Sequence, residues 1–172
     1  MTPSLTSPPA PSRTAPADRL VIRAVTRADA DAWCALRTAL WPDGSADEHA
    51  LEIARFFWSP DDPATCLVAE SAGQVIGFAE FAIRSHADGC VTDRIGYLEG
   101  WYVTSVWRRR GVGRALVAAG EAWARARGCR EFASDAALDN RAGQAAHRAL
   151  GFAEAGRTVH YCKPLLAPPP PR

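Results

Sequence analysis

A chain of 172 residues, 48% hydrophobic and 23% charged, is long enough for one buried core and too short for two sizeable ones. Its net charge of +1, with Lys163 the one lysine among 20 basic residues, gives no electrostatic case for a nucleic-acid partner. The five cysteines show no C-x-x-C pair and no short Cys/His spacing, so no zinc or other metal site and no disulfide framework is indicated. An odd cysteine count without an export signal fits a reducing cytoplasm.

Residues 1–17 are rich in Pro, Ser, Thr and Ala and lack an apolar run, which marks a disordered tail and neither a signal nor a membrane anchor. The Pro-rich end at 167–172 has the same character, leaving 18–166 as the folded unit. Leu20 to Val25 alternates as a first strand. Thr26, with Asp29 three residues on, caps a helix carrying Trp33, Leu36 and Leu40 on one side. Pro42-Asp43-Gly44 stops that helix near Trp41, and Ser45 to Glu48 is a capping box for a second helix that runs to Ser59-Pro60. Two strands follow, Thr65 to Ser71 and Gln74 to Arg84, joined by an Ala-Gly turn. The loop from Ser85 to Arg94 contains Asp88-Gly89.

Residues 95 to 127 organise the rest. Ile95 to Val103 is too densely apolar and aromatic for a surface helix, and Gly100 would penalise one, so a central strand is predicted. Alternation puts Glu99 on the same face as Tyr97, Trp101 and Val103, where its carboxylate needs a cationic partner, a proton or a wet cleft. The apolar spacing of Val112, Ala115, Leu116, Ala119, Ala122, Trp123 and Ala126 is that of one helical stripe. Arg108, Arg109, Arg110, Gly111, Val112, Gly113 and Arg114 therefore sit at a helix amino end, where unpaired N–H groups and the dipole favour a phosphate or pyrophosphate. A solvated arginine loop is the competing account. Arg130 to Ser134 is the next strand, leading to Asp135, and a helix from Arg141 to Leu150 follows a loop holding Asp139 and Asn140. Phe152 to Ala155 and Thr158 to Lys163 are two further short strands.

Arg108 to Gly113, placed between strand and helix, resembles the acyl-CoA pyrophosphate motif (Q/R)-x-x-G-x-(G/A) of the GNAT superfamily of N-acetyltransferases. Asn140 and the run His147 to Phe152 are similar to that superfamily's second CoA-contacting helix and its terminal L-G-F. Leu98-Glu99-Gly100, Tyr102-Val103 and the segment Glu131 to Asn140 resemble the aminoglycoside 6′-N-acetyltransferases within it, over about Leu20 to Lys163. The resemblance implies a single α/β domain with a mixed, mostly antiparallel central sheet of about six to seven strands flanked by about four helices. It further implies acetyl-CoA as donor substrate, an aminoglycoside as acceptor, no membrane partner and a cytoplasmic enzyme. Relatives are often dimers, which makes a homodimer a candidate assembly with the carboxyl-terminal strands as its surface.

Site residues follow from the same resemblance. Trp101, Tyr102 and Val103 would pair with the pantetheine arm, and Asn140 would hydrogen-bond CoA while also serving as a helix cap. Trp41 matches a tryptophan that contacts the antibiotic; Asp43, Asp47 and Glu48 suit ammonium groups, and a solvated helix start explains them equally well. Two departures concern the acceptor. His86 stands where relatives often place a tyrosine, in a loop one residue shorter, and Gly156 replaces a glutamate for which Glu154 is a candidate substitute.

Acetyl transfer needs an unprotonated amine, a positioned acetyl carbon and a proton for the departing thiolate. Asp135 is favoured as base and Glu99 as the group that positions the amine, with the roles exchangeable. His147 falls where many members have a tyrosine that protonates the thiolate; a histidine packed against CoA is the alternative. The CoA motif does not fix the acceptor, so a polyamine, another small amine or a protein amine stays open, as does a non-catalytic CoA-binding sensor. Retention of both Glu99 and Asp135 argues against the sensor.

Overall fold

The structure is a computed structural model that describes residues 19–59 and 64–165. The tails expected at 1–17 and 167–172, and the helix-ending Pro60, lie outside the described residues. The described chain forms one five-stranded sheet, β1 (Val21–Ala24), β2 (Ala64–Ser71), β3 (Gln74–Arg84), β4 (Ile95–Val103) and β5 (Glu131–Ser134), in that spatial order. Neighbours run antiparallel except β4 and β5, which are parallel. Four helices flank it: α1 (Ala30–Leu40), α2 (Ala46–Trp58), α3 (Val112–Ala126) and α4 (Arg141–Ala149). A parallel pair needs a crossover, and α3 supplies it between β4 and β5.

Local signals account for most boundaries. Asp29 accepts from the Thr26 amide at 2.8 Å and from Arg23, closing a short 3-10 turn that leads into α1. Ser45 and Glu48 form the expected reciprocal cap of α2, with Glu48 N–H donating to Ser45 Oγ at 3.2 Å and Ser45 N–H to the Glu48 carboxylate at 2.9 Å. Ala72 and Gly73 both take positive φ, the turn that matches the twist of the β2–β3 hairpin.

The sheet is apolar on both faces. Leu116, Val117 and Val112 of α3 pack with Ala69, Ala79, Phe81, Leu98 and Val103 on one side; Trp33 and Leu36 of α1 and Ile53 of α2 pack with Cys66, Val68 and Phe78 on the other. Large residues such as Trp33, Phe78, Phe81 and Leu116 are fully buried, each contributing about 2–3 kcal/mol of transfer free energy.

Two expectations are corrected. Phe152 to Ala155 and Thr158 to Lys163 form no strand; this segment is irregular and mostly exposed, so the described sheet has five strands and not six or seven. Val159 and Tyr161 are exposed, Glu154 is turned into an ion pair with Arg157, and among the described residues nothing covers this apolar surface. The face of Glu99 also differs. Glu80 pairs with Gly100 and Phe81 with Leu98, so Glu99 is the extra residue of a β-bulge. Strict alternation breaks there: Trp101 and Val103 join the α3 side, while Glu99 and Gly100 both face the α1 side.

Candidate active site

The bulge decides what Glu99 meets. Its carboxylate accepts from Arg84 Nε at 2.9 Å and makes a second ion-pair contact with Arg84 Nη2. Arg84, the last residue of β3, lays its guanidinium 3.5 Å from the centroid of the Tyr97 ring, on the neighbouring strand. Tyr97 in turn donates its hydroxyl hydrogen to Asp135 Oδ1 at 2.7 Å. Asp135 follows the end of β5, one residue past the point where Leu98 faces Ser134. Burial, reinforced by the bond to Asp135, pushes the Tyr97 phenol well above its ordinary range, so it remains a donor at neutral pH. Glu99 and Asp135 thus belong to one cluster, bridged by an arginine and a tyrosine that the sequence had not marked.

Beyond Leu98 and Ser134 the two parallel strands part. Residues 100–103 of β4 remain paired with β3, and residues 99–103 have no strand on their other edge among the described residues. Trp101 and His147 meet across this gap, ring centroids 5.9 Å apart. Both nitrogens of His147 are engaged: Nδ1 lies 2.8 Å from the Gly143 carbonyl and Nε2 2.9 Å from Ser134 Oγ, whose hydroxyl also lies 3.0 Å from the Leu98 carbonyl. Asn140 caps α4, Oδ1 accepting from the Gly143 amide at 2.8 Å.

The glycines at the start of α3 do two different jobs. Gly111 is the N-cap, at φ 84°, and a side chain built there would enter open space. No side chain among the described residues caps the start of α3, so its first amides are free for an anion, which fits a diphosphate. Gly113 is a packing glycine: a Cβ at this position would come within 2.6 Å of the Trp101 ring. Val112 is buried and offers its backbone only. The arginines divide as well. Arg108 donates to the Val103 carbonyl at 2.8 Å and covers Tyr102, Arg110 lies over Trp107, and Arg114 donates to the Ala149 carbonyl at 2.9 Å, so these three also brace the loop and α4. Arg109, at φ 61°, is exposed.

On the α1 side, Trp41 packs against Gly100, where a Cβ would come within 2.4 Å of its ring. Arg37 stacks on Trp41 at 4.9 Å, bonds the partly buried Glu80 at 2.8 Å and pairs with Glu52 of α2. Burial raises the Glu80 carboxyl against the opposing pull of Arg37 and the Trp33 indole. The Trp41 carbonyl takes contacts from Gly44 N–H and His49 Nε2, each at 3.2 Å, which fixes the loop carrying Asp43. Asp43 itself is exposed at the loop surface, and Glu48 is spent on its cap. His86 is 83% exposed and 3.8 Å from Asp88, and Glu154 pairs with Arg157 at 2.7 Å; the structure does not bring either into the cluster around Glu99.

Comparisons with known proteins agree with this geometry. The acetyltransferase (GNAT) family model matches residues 31–152. An aminoglycoside N(6′)-acetyltransferase type 1 of Klebsiella aerogenes is 46% identical over 147 residues, covering 84% of this chain and 97% of that protein. Its namesake from Stenotrophomonas maltophilia is 44% identical over 145 residues, 84% and 93% of the two chains. Among solved structures, the aminoglycoside N-acetyltransferase AAC(6′)-Iy in complex with CoA superposes with a TM-score of 0.82 at 34% identity, covering 87% of this chain and 98% of that one. AAC(6′)-Iy with the bisubstrate analogue CoA-S-monomethyl-acetylneamine gives a TM-score of 0.79 at 35% identity, covering 85% and 99%. An uncapped helix start at Gly111, a parted β4–β5 edge and this extent of likeness make the chain a member of the GNAT acetyltransferase family.

Proposed function

We propose that this protein transfers the acetyl group of acetyl-CoA to the 6′-amine of aminoglycosides, and that it confers resistance by doing so. The observation that carries the reading is the joining of Glu99 and Asp135 through Arg84 and Tyr97, beside Trp41 and at the mouth of the parted strands. The donor supplies an activated acetyl thioester. The chain's own groups do the rest. Amides at the start of α3 suit the diphosphate, and the unpaired edge of residues 99–103 suits the amide-bearing arm. The Trp41 ring suits the apolar face of a sugar, while Glu99 holds the acceptor ammonium.

Asp135 is the base in this reading. An alkylammonium is protonated at neutral pH, so the amine becomes a nucleophile only when a carboxylate takes its proton. Tyr97 orients Asp135 and does not compete for the proton, because its own hydroxyl stays protonated. His147, whose Nε2 lies 2.9 Å from Ser134 Oγ, is the candidate proton source for the departing thiolate. Turning a cation into a neutral amide weakens the drug's electrostatic hold on RNA phosphates.

The folded unit is placed at 18–166, in the cytoplasm, where five free thiols suit the reducing environment. A homodimer is the assembly in this reading; exposed Val159, Tyr161 and Leu165 supply apolar surface along the carboxyl-terminal segment for a partner to cover. Thiol release from acetyl-CoA tests the function: kanamycin and tobramycin should drive turnover. Turnover with spermidine alone would replace the acceptor, and tight acetyl-CoA binding with no release for any amine would leave a sensor.

A further inference from the structure

Resting on the aminoglycoside reading, a second conclusion concerns Arg84. The guanidinium meets Glu99 through two nitrogens and covers the Tyr97 ring at 3.5 Å, and that ring's hydroxyl is bound to Asp135. A carboxylate, an aromatic face and a second carboxylate nearby are the features that recognise a protonated amine, and in the free protein a side chain occupies them. Burial pulls this guanidinium toward the neutral form, and Glu99, Tyr97 and Asp135 together outweigh it.

The pair is built to open. Its side chains are 41% and 31% exposed, so water screens it and little is lost on parting. Arg37 makes the contrast: 12% exposed, tied at once to Glu80 and Glu52 and stacked on Trp41, it belongs to the scaffold. Arg84 is also the final residue of β3, with the Ser85 to Arg94 loop beginning immediately after it, so its side chain can swing outward without disturbing a strand interior.

We propose that Arg84 is a displaceable stand-in for the acceptor's 6′-ammonium: it holds Glu99 in the free enzyme, yields that carboxylate to the incoming cation, and reclaims it once the product is a neutral amide. A neutral 6′ group has no claim on Glu99 and leaves Arg84 in place. Arg84 is thereby a residue that sets selectivity at the 6′ position, acting through Glu99.

Calorimetric titration separates this from a structural role. Two aminoglycosides are compared on the full-length protein, one with a 6′-amine and one with a 6′-hydroxyl on otherwise matching rings. Arg84→Gln should bind the amine about threefold more tightly and the hydroxyl compound with unchanged affinity. Arg84→Lys, which keeps a cation but loses the paired contact, should fall between Gln and wild type, and it serves if the Gln variant does not fold. Weaker binding of the amine, or an equal change for both compounds, overturns the inference while leaving the acetyltransferase reading intact. A wild-type protein that neither binds nor acetylates the 6′-amine removes that reading first.

Discussion

Tyr97 hands its hydroxyl hydrogen to Asp135 across 2.7 Å, from the strand that also carries Glu99. The tyrosine links the strand that bears one carboxylate to the turn that bears the other. Tyr97→Phe removes this donor and keeps the ring on which Arg84 rests. A lost charge-assisted hydrogen bond of this kind corresponds to about a tenfold fall in kcat, with KM for acetyl-CoA unchanged. Steady-state kinetics with kanamycin checks it; a wild-type kcat would mean Asp135 is oriented by other contacts.

Substitution of the carboxylates themselves separates their roles. Asp135→Ala should lower kcat by roughly 100-fold or more, the typical contribution of a positioned acid or base. Glu99→Ala should act mainly on the KM for the aminoglycoside, because its lost function is holding the ammonium. If the two patterns come out exchanged, so are the roles; near-normal rates in both variants would remove these residues from the site.

Gly111 and Gly113 should respond differently to alanine. At Gly111 the new methyl enters open space but forces a side chain into φ 84°, so stability falls by about 1 kcal/mol and KM for acetyl-CoA rises as the amide cradle distorts. At Gly113 the methyl drives into the Trp101 ring at 2.6 Å, so the larger loss is in stability. Thermal unfolding, with and without CoA, distinguishes them: CoA should still protect the Gly113 variant.

Acid stability should depend on Asp29. Arg23 and the Thr26 amide and hydroxyl hold this nearly buried carboxyl well below the usual range, against the opposing effect of burial. A depressed folded-state value means stability that is present above the unfolded value near pH 4 and lost as pH falls below it toward the folded one. Asp29→Asn should cost about 2 kcal/mol at pH 7 and flatten the stability profile between about pH 4 and pH 2. Urea unfolding at several pH values measures both.

Much of the frame was readable in the residues because the signals were local. The Ser45–Glu48 cap, the hairpin through Ala72 and Gly73, the apolar stripe of α3 and the placing of Gly111 at its amino end each depend on neighbours a few positions away. Arg84 and Tyr97 escaped notice because their importance comes from cross-strand register. Arg84 reaches Glu99 only because a bulge at Glu99 turns it and Gly100 to one side, and no local pattern announces an extra residue in a strand. The same limit explains the carboxyl-terminal segment. Its alternation is real, yet alternation says only that one face wants cover, and the described residues supply none.

The separation of β4 from β5 leaves a row of backbone donors and acceptors along residues 99–103 without a strand among the described residues to satisfy them. Such an edge can recruit a strand from another chain, so the ligand-free protein should be the aggregation-prone form during expression and storage. Saturating CoA would then act as a solubilising additive, closing the row before a neighbouring molecule does.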